Sequence, residues 1–210
     1  AELGREELDA VVEAFRLAAA RAAAAGFDVL EIHAAHGYLL HEFLSPLANR
    51  RADEYGGSLE NRLRFPLRVL EAVRGAWPEE RPLFVRVSAT DYLPGGIDVE
   101  EMVAMARAFK EAGADLIHVS SGGLLSADIP VGPGYQVPLA ARIRAGAGVP
   151  TCAVGLITAP EQAEQVLRCG QADLVALGRE LLRHPHWPLY AAHRLGADVP
   201  WPEPYRRARL

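Results

Sequence analysis

Three times along the chain a helical pattern closes on glycine, an aspartate follows two or three residues later, and a short apolar run begins. The three copies are Ala25-Gly-Phe-Asp-Val-Leu-Glu-Ile32, Ala112-Gly-Ala-Asp-Leu-Ile-His-Val119 and Cys169-Gly-Gln-Ala-Asp-Leu-Val-Ala-Leu177. Glycine suits the left-handed position that ends a helix, and the apolar run suits a strand covered on both faces, as in parallel sheets. Two more strands are predicted over Pro82–Ser88 and Pro150–Val154, each entered through proline. Helical patterns lie between them. Leu8, Val11, Val12 and Phe15 keep the i, i+3, i+4, i+7 spacing, and residues 59–76, 99–112, 137–145 and 159–168 are further candidates. Alternating helix and strand implies an α/β fold with a parallel sheet and right-handed crossovers, with no linker that would mark a second domain.

Composition narrows the function classes. Half of the 210 residues are hydrophobic and 23% are charged, enough apolar material for a sizeable core. A formal net charge of -5 lacks the basic footprint of a nucleic-acid binder. No apolar run approaches the roughly 18 residues of a membrane span, and the stretch from Ala1 to Glu7 is too charged for a signal peptide. A cytoplasmic protein with no membrane partner is the expectation. Cys152 and Cys169 fall at no metal or redox spacing and are expected to be small buried hydrophobes.

Chemistry concentrates where strands end, as α/β barrels arrange it. The first strand runs into Glu31-Ile-His-Ala-Ala-His-Gly-Tyr38, so two imidazoles and a phenol follow it within six positions. His33 and His36 can both donate to one substrate oxygen, and Tyr38 carries a transferable proton. Taken singly, such residues are more often interior packing. With His41 the histidines also admit a zinc reading, but no His-Glu-x-x-His or Cys-x-x-Cys pattern supplies a further ligand. In the second strand Arg86 interrupts an apolar run, and a buried guanidinium needs an anionic partner; a structural salt bridge would satisfy it equally. Ser120-Ser-Gly-Gly123 follows the third strand and by itself reads as a turn. Gly155 and Gly178 end the last two strands, each leading towards a helix. Such a glycine lets a phosphate reach backbone N–H groups, and Arg179 adds a forked donor.

The segment from His33 through His41-Glu-Phe-Leu-Ser-Pro-Leu-Ala-Asn-Arg-Arg-Ala-Asp-Glu-Tyr-Gly-Gly-Ser-Leu-Glu-Asn-Arg62 resembles the old yellow enzyme family of flavin-dependent ene-reductases, in its bacterial, thermophilic-like branch. The resemblance covers nearly the whole chain. It implies a (β/α)8 TIM barrel of which this chain carries strands 4 to 8, so that residues 1–210 are the carboxyl-terminal portion of a single FMN-binding domain. A closed barrel needs eight strands and about 250 residues. An open five-stranded sheet exposes edges, and a homo-oligomer or other partner is expected to cover them.

The resemblance further implies FMN as cofactor and NADPH or NADH as hydride donor. Arg86 would stand beside the flavin pyrimidine, Ser120 and Ser121 along the flavin tail, and Gly155, Gly178 and Arg179 at the phosphate. His33 and His36 would hold the oxygen of an α,β-unsaturated carbonyl substrate, and Tyr38 would protonate its α-carbon, giving net trans addition of hydrogen. In this branch an arginine of the tail reaches a neighbouring subunit's site; the Tyr-x-Arg pattern points to Arg207, with Arg206 and Arg209 close by. The alternatives are another FMN barrel oxidoreductase of the dienoyl-CoA reductase kind, against which the lack of an iron–sulfur cysteine cluster counts, and a non-catalytic barrel fragment that binds phosphate or a partner chain.

Overall fold

The computed structural model describes residues 2–209. Its frame is one parallel sheet of β1 (Leu30–Ala34), β2 (Leu83–Ser88), β3 (Leu116–Ser120), β4 (Thr151–Val154) and β5 (Leu174–Ala176), side by side in chain order. The helices are α1 (Arg5–Ala24), α2 (Leu39–Leu44), α3 (Leu59–Ala76), α4 (Val99–Glu111), α5 (Val137–Ala147), α6 (Pro160–Arg168), α7 (Arg179–Arg183) and α8 (Trp187–Arg194). Strand order without reversal means that every right-handed crossover winds the same way, so there is no switch point of the doubly wound kind. This is the winding of consecutive βα units in a barrel, and the chain supplies five of its eight.

The pairing register fixes which side chains share a face. His33 lies beside Arg86, Arg86 beside His118 and His118 beside Cys152. Alternation along a strand sends these residues to one side and Ile32, Ala34, Val85, Val87, Ile117, Val119 and Ala153 to the other, where they join the apolar core. Phe65 of α3, Phe109 of α4 and Leu83 of β2 are fully buried there, each contributing about 1.5–3 kcal/mol by leaving water. The opposite face is polar, and across it Glu31 and His118 pair at 2.8 Å.

The glycine–aspartate rhythm has a structural basis. Gly26, Gly113 and Gly170 all take positive φ after their helices. Asp115 Oδ2 accepts from the N–H of Leu83 at 2.7 Å, and Asp173 Oδ2 from that of Thr151 at 2.9 Å. Each aspartate thus ties the start of its strand to the start of the preceding one, and each is also bonded to an arginine, Arg74 or Arg144.

Two expectations need correction. Cys169 is exposed, because it caps the carboxyl end of α6 instead of pointing into the core; only Cys152 is buried, and burial pushes its thiol up to about 12. The last strand is not covered on both faces, since Leu174 is exposed at the sheet edge. The short helices α2, α7 and α8 escape a periodicity reading because five to eight residues give too few turns to show one.

Much of the long segment after α2 is a brace. Asn49 Nδ2 donates to the carbonyls of Phe43 and Tyr55 at 2.8 and 2.7 Å. Arg51 grips Asp53 with two bonds and lies 5.7 Å from the ring centres of Phe43 and Tyr55. The buried Arg62 guanidinium donates to the carbonyls of Leu44 and Gly57 and to Glu101, locking α3 to α2 and α4. Among the described residues, no helix is long and apolar enough to cross a membrane.

Candidate active site

β1 delivers His33 to the polar face, and the chain then turns through His36 and Gly37 before α2 begins. The three aromatic groups picked out in the sequence converge: the His33 ring centre lies 5.2 Å from that of His36 and 5.3 Å from that of Tyr38. His36 adopts φ +57°, a left-handed conformation that is strained for a residue with a side chain. It is held there from outside. Its N–H donates to Ser88 Oγ at 3.0 Å, and Ser88 Oγ donates to the Gly122 carbonyl at 2.8 Å.

The close approach of these loops explains Gly37 and Gly123. A Cβ on Gly37 would stand 2.7 Å from the Gly123 carbonyl oxygen, and one on Gly123 would stand 2.9 Å from the His36 Cα. The glycines let two strand-end loops close on each other. Of the Ser120-Ser-Gly-Gly123 run, Ser120 faces the neighbouring cavity while Gly123 packs against His36.

The imidazoles are neutral at ordinary pH. Burial, together with the positive charge of Arg86, lowers the pKa of His33 and takes that of His36 down to about 4. A neutral ring has one N–H, so its tautomer matters. His36 Nε2 lies 2.7 Å from Ser120 Oγ. The other acceptor within reach of that hydroxyl, Gln136 Oε1, is farther at 3.3 Å and already receives Ser121 Oγ at 2.6 Å. Ser120 thus joins the His36 ring on one side to Gln136 on the other.

Beside this group, at the carboxyl ends of β3, β4 and β5, lies a cavity of about 270 Å³. Arg86, Ser120, Gly155, Gly178 and Arg179 all line it, so the structure brings these expected cofactor-binding residues together. Ser121 stands behind, tied to Gln136. Arg86 Nε is buried and has no hydrogen-bond partner, and among the described residues no carboxylate forms an ion pair with the guanidinium. No salt bridge satisfies Arg86 among the described residues, and a guanidinium that lines a cavity with its Nε unpartnered fits an acceptor-rich ligand edge. Gly155, at φ +126°, is crowded: a Cβ would meet Gln136 Nε2 and the Tyr135 ring at 2.9 Å. Gly178 is open, with nothing within 4 Å of a Cβ built on it. Because α7 has only five residues, the charge of Arg179 outweighs any helix dipole in attracting an anion. The cavity thus fits a phosphate-bearing ring such as FMN.

Sequence reasoning missed Gln136, whose amide bridges Ser121 to the Val154 carbonyl at 2.6 and 2.8 Å and so joins the β3 and β4 ends. A glutamine in a long loop gives no local pattern that would flag it. Arg207 does not line the cavity; it sits exposed in a 3-10 turn, Glu203–Ala208. Among the described residues no group of three or more His, Cys, Asp or Glu side chains could hold a metal ion. His41, the further histidine of the zinc reading, is buried with Nε2 against Asp91 and Nδ1 accepting the Gly37 N–H.

The model of the NADH:flavin oxidoreductase / NADH oxidase family matches residues 1–198. The chain belongs to this family. An NADPH dehydrogenase of Geobacillus thermodenitrificans is 56% identical over 206 residues, which are 98% of this chain and 60% of that protein. A 2-naphthoyl-CoA reductase complex superimposes with TM-score 0.85 at 30% identity, covering 94% of this chain and 30% of the other. An old yellow enzyme homologue from Zymomonas mobilis gives 0.75 at 29% identity, covering 94% and 55%. The likeness to old yellow enzymes expected from the sequence is thus found in both sequence and fold. This member of the family spans about 60% of the length of the curated relatives it matches.

Proposed function

We propose that this chain carries the reacting side chains of an FMN-dependent, NAD(P)H-linked ene-reductase acting on the activated C=C bond of α,β-unsaturated carbonyl compounds, within a single FMN-binding barrel domain. One observation carries the reading: His36, one of two neutral imidazoles beside an exposed phenol, is hydrogen-bonded to Ser120, which also lines the cavity holding the unpartnered Arg86. The substrate-gripping group and the anion cradle are therefore adjacent. When bound, FMN supplies the hydride chemistry that no side chain here possesses. Arg86 would face its pyrimidine edge, with Gly155, Gly178 and Arg179 at its phosphate.

His33 and His36 hold the carbonyl oxygen of the substrate and stabilise the negative charge that develops on it. Being neutral, they do so as hydrogen-bond donors and do not transfer a proton to that oxygen. Tyr38, 64% exposed, is free to give its proton to the α-carbon of a substrate bound over the two rings. The reading includes a homo-oligomer in which Arg207 approaches a neighbouring site. Of the three tail arginines, Arg206 pairs with Glu203 at 2.7 Å and Arg209 with Asp198 at 2.6 Å, whereas Arg207 makes no ion pair among the described residues.

Arg86→Met tests the cradle. Losing a charge-assisted hydrogen bond worth about 1.5–3 kcal/mol should weaken FMN binding, followed by flavin fluorescence, about 10- to 100-fold. Thermal stability without FMN should hold or rise, since an unpartnered guanidinium is removed. Unchanged FMN affinity with a lower melting temperature would make Arg86 a structural residue and remove it from the site.

A further inference from the structure

His41 and Asp91 are fully buried polar residues that the proposed chemistry leaves unused. His41 lies in α2 and Asp91 in the loop after β2. His41 Nε2 is 3.0 Å from Asp91 Oδ1, close enough to pair but with the N–H directed well off the line between them, and neither atom has any other partner. The second carboxylate oxygen accepts Ser45 Oγ at 2.6 Å and the Ile97 N–H at 2.9 Å. Burial by itself would raise the carboxyl's pKa, but the bonds from His41, Ser45 and Ile97 outweigh it and hold the group below its ordinary value. Asp91 is therefore an anion, and its neighbour's Nε2 carries a proton.

The other ring nitrogen shows what the pair does. His41 Nδ1 accepts the N–H of Gly37 at 3.0 Å, so Nδ1 is bare and the ring is neutral, with its tautomer set by Asp91. Gly37 stands between His36 and Tyr38. A peptide unit is planar, so aiming the Gly37 N–H at His41 fixes the rotation about the Cα–C bond of His36 and about the N–Cα bond of Gly37. Those are the torsions that direct the His36 ring on one side and Tyr38 on the other. His36 needs such a restraint because its left-handed backbone costs about 1–3 kcal/mol and persists only when surroundings over-determine it. Ser88 holds the amino side of His36 and His41 the carboxyl side.

We infer that the buried Asp91–His41 pair is a positioning device, in which a carboxylate orients an imidazole whose free nitrogen anchors the Gly37 amide and thereby presents His36 and Tyr38 to substrate. The inference rests on the proposed function for its catalytic consequence but not for its geometry. His41 touches no reacting atom; it acts through the backbone. The loop after β2 is thereby coupled to the loop after β1, so changes at Asp91 reach Tyr38 without contact.

The test has a spectroscopic arm and a kinetic arm, both on the FMN-loaded protein. Proton–nitrogen NMR of the imidazoles should show His41 with Nε2 protonated and Nδ1 bare, and Asp91→Asn should disturb that state. A His41 protonated on Nδ1 or on both nitrogens overturns the inference outright, whatever the activity. In the kinetic arm, His41→Leu should slow alkene-driven reoxidation at saturating alkene on the order of 100-fold, as a displacement of about 1 Å can. His41→Asn, whose Oδ1 falls near the place of Nδ1 and can still accept from Gly37, should recover most of that loss. Equal rates in His41→Leu and wild type, or no recovery in a folded, yellow His41→Asn, contradict the inference, and the asparagine variant decides the matter if the leucine variant fails to fold. Tyr38→Phe separates the two levels. If Tyr38→Phe has no effect on reoxidation, Tyr38 leaves the proposed chemistry and the tautomer alone decides the positioning; if it slows reoxidation and His41→Leu does not, positioning fails.

Discussion

Replacing Tyr38 by Phe is expected to leave the reduction of bound flavin by NADPH at its wild-type rate and to slow its reoxidation by an alkene about 10²- to 10⁴-fold, the range that one positioned proton donor supplies. The two half-reactions, followed separately by stopped-flow absorbance, check this. The substitution is clean. Tyr38 is largely exposed and its hydroxyl bonds to nothing else among the described residues, so losing the oxygen should change stability by no more than about 0.5 kcal/mol. A slow variant with a normal melting temperature then reports chemistry. Unchanged reoxidation would move the proton source elsewhere and leave Tyr38 as a wall of the cleft.

Replacing His33 and His36 together by Ala has the larger effect on binding. Phenols present an oxygen like that of an enolate, and their long-wavelength band with oxidised flavin should vanish in the double variant. Each donor lost from a developing oxyanion costs about 10²- to 10³-fold in rate, so alkene turnover should fall below detection. Burial and the nearby Arg86 keep both rings neutral. Their contribution is donation from fixed ring nitrogens, with the His36 ring held by Ser120. Persistence of the phenol band in the double variant would show that the oxygen is held elsewhere.

The sheet was legible because its signals are local. Gly26, Gly113 and Gly170 mark helix ends through a backbone conformation that glycine favours, and the apolar runs behind them mark buried strands. The reactive trio was legible for the same reason: three functional groups within six residues meet whatever the rest of the chain does. Ser88, Gln136 and Asp91 were not legible. Each does its work across 15 to 52 positions of sequence, Ser88 on the His36 amide, Gln136 on Ser121 and Asp91 on Ser45 and His41, and only the register of neighbouring strands brings those partners within reach. His41 was visible as a residue but misleading as a chemical group. It follows two histidines whose three-residue spacing admits a shared metal, whereas the first turn of α2 directs it inward to Asp91. Arg86 was ambiguous in the sequence because a guanidinium in a strand suits a salt bridge and a ligand equally, and its unpartnered Nε counts against the salt bridge.

The visible spectrum of the purified protein tests the central claim most directly. An ene-reductase site requires a yellow chromophore that NADPH bleaches without oxygen and that cyclohexenone restores at a rate well above that of an enone-free control. A protein that takes up FMN, bleaches with NADPH and recovers no faster with cyclohexenone than without it would contradict the claim that His33, His36 and Tyr38 form an ene-reductase site.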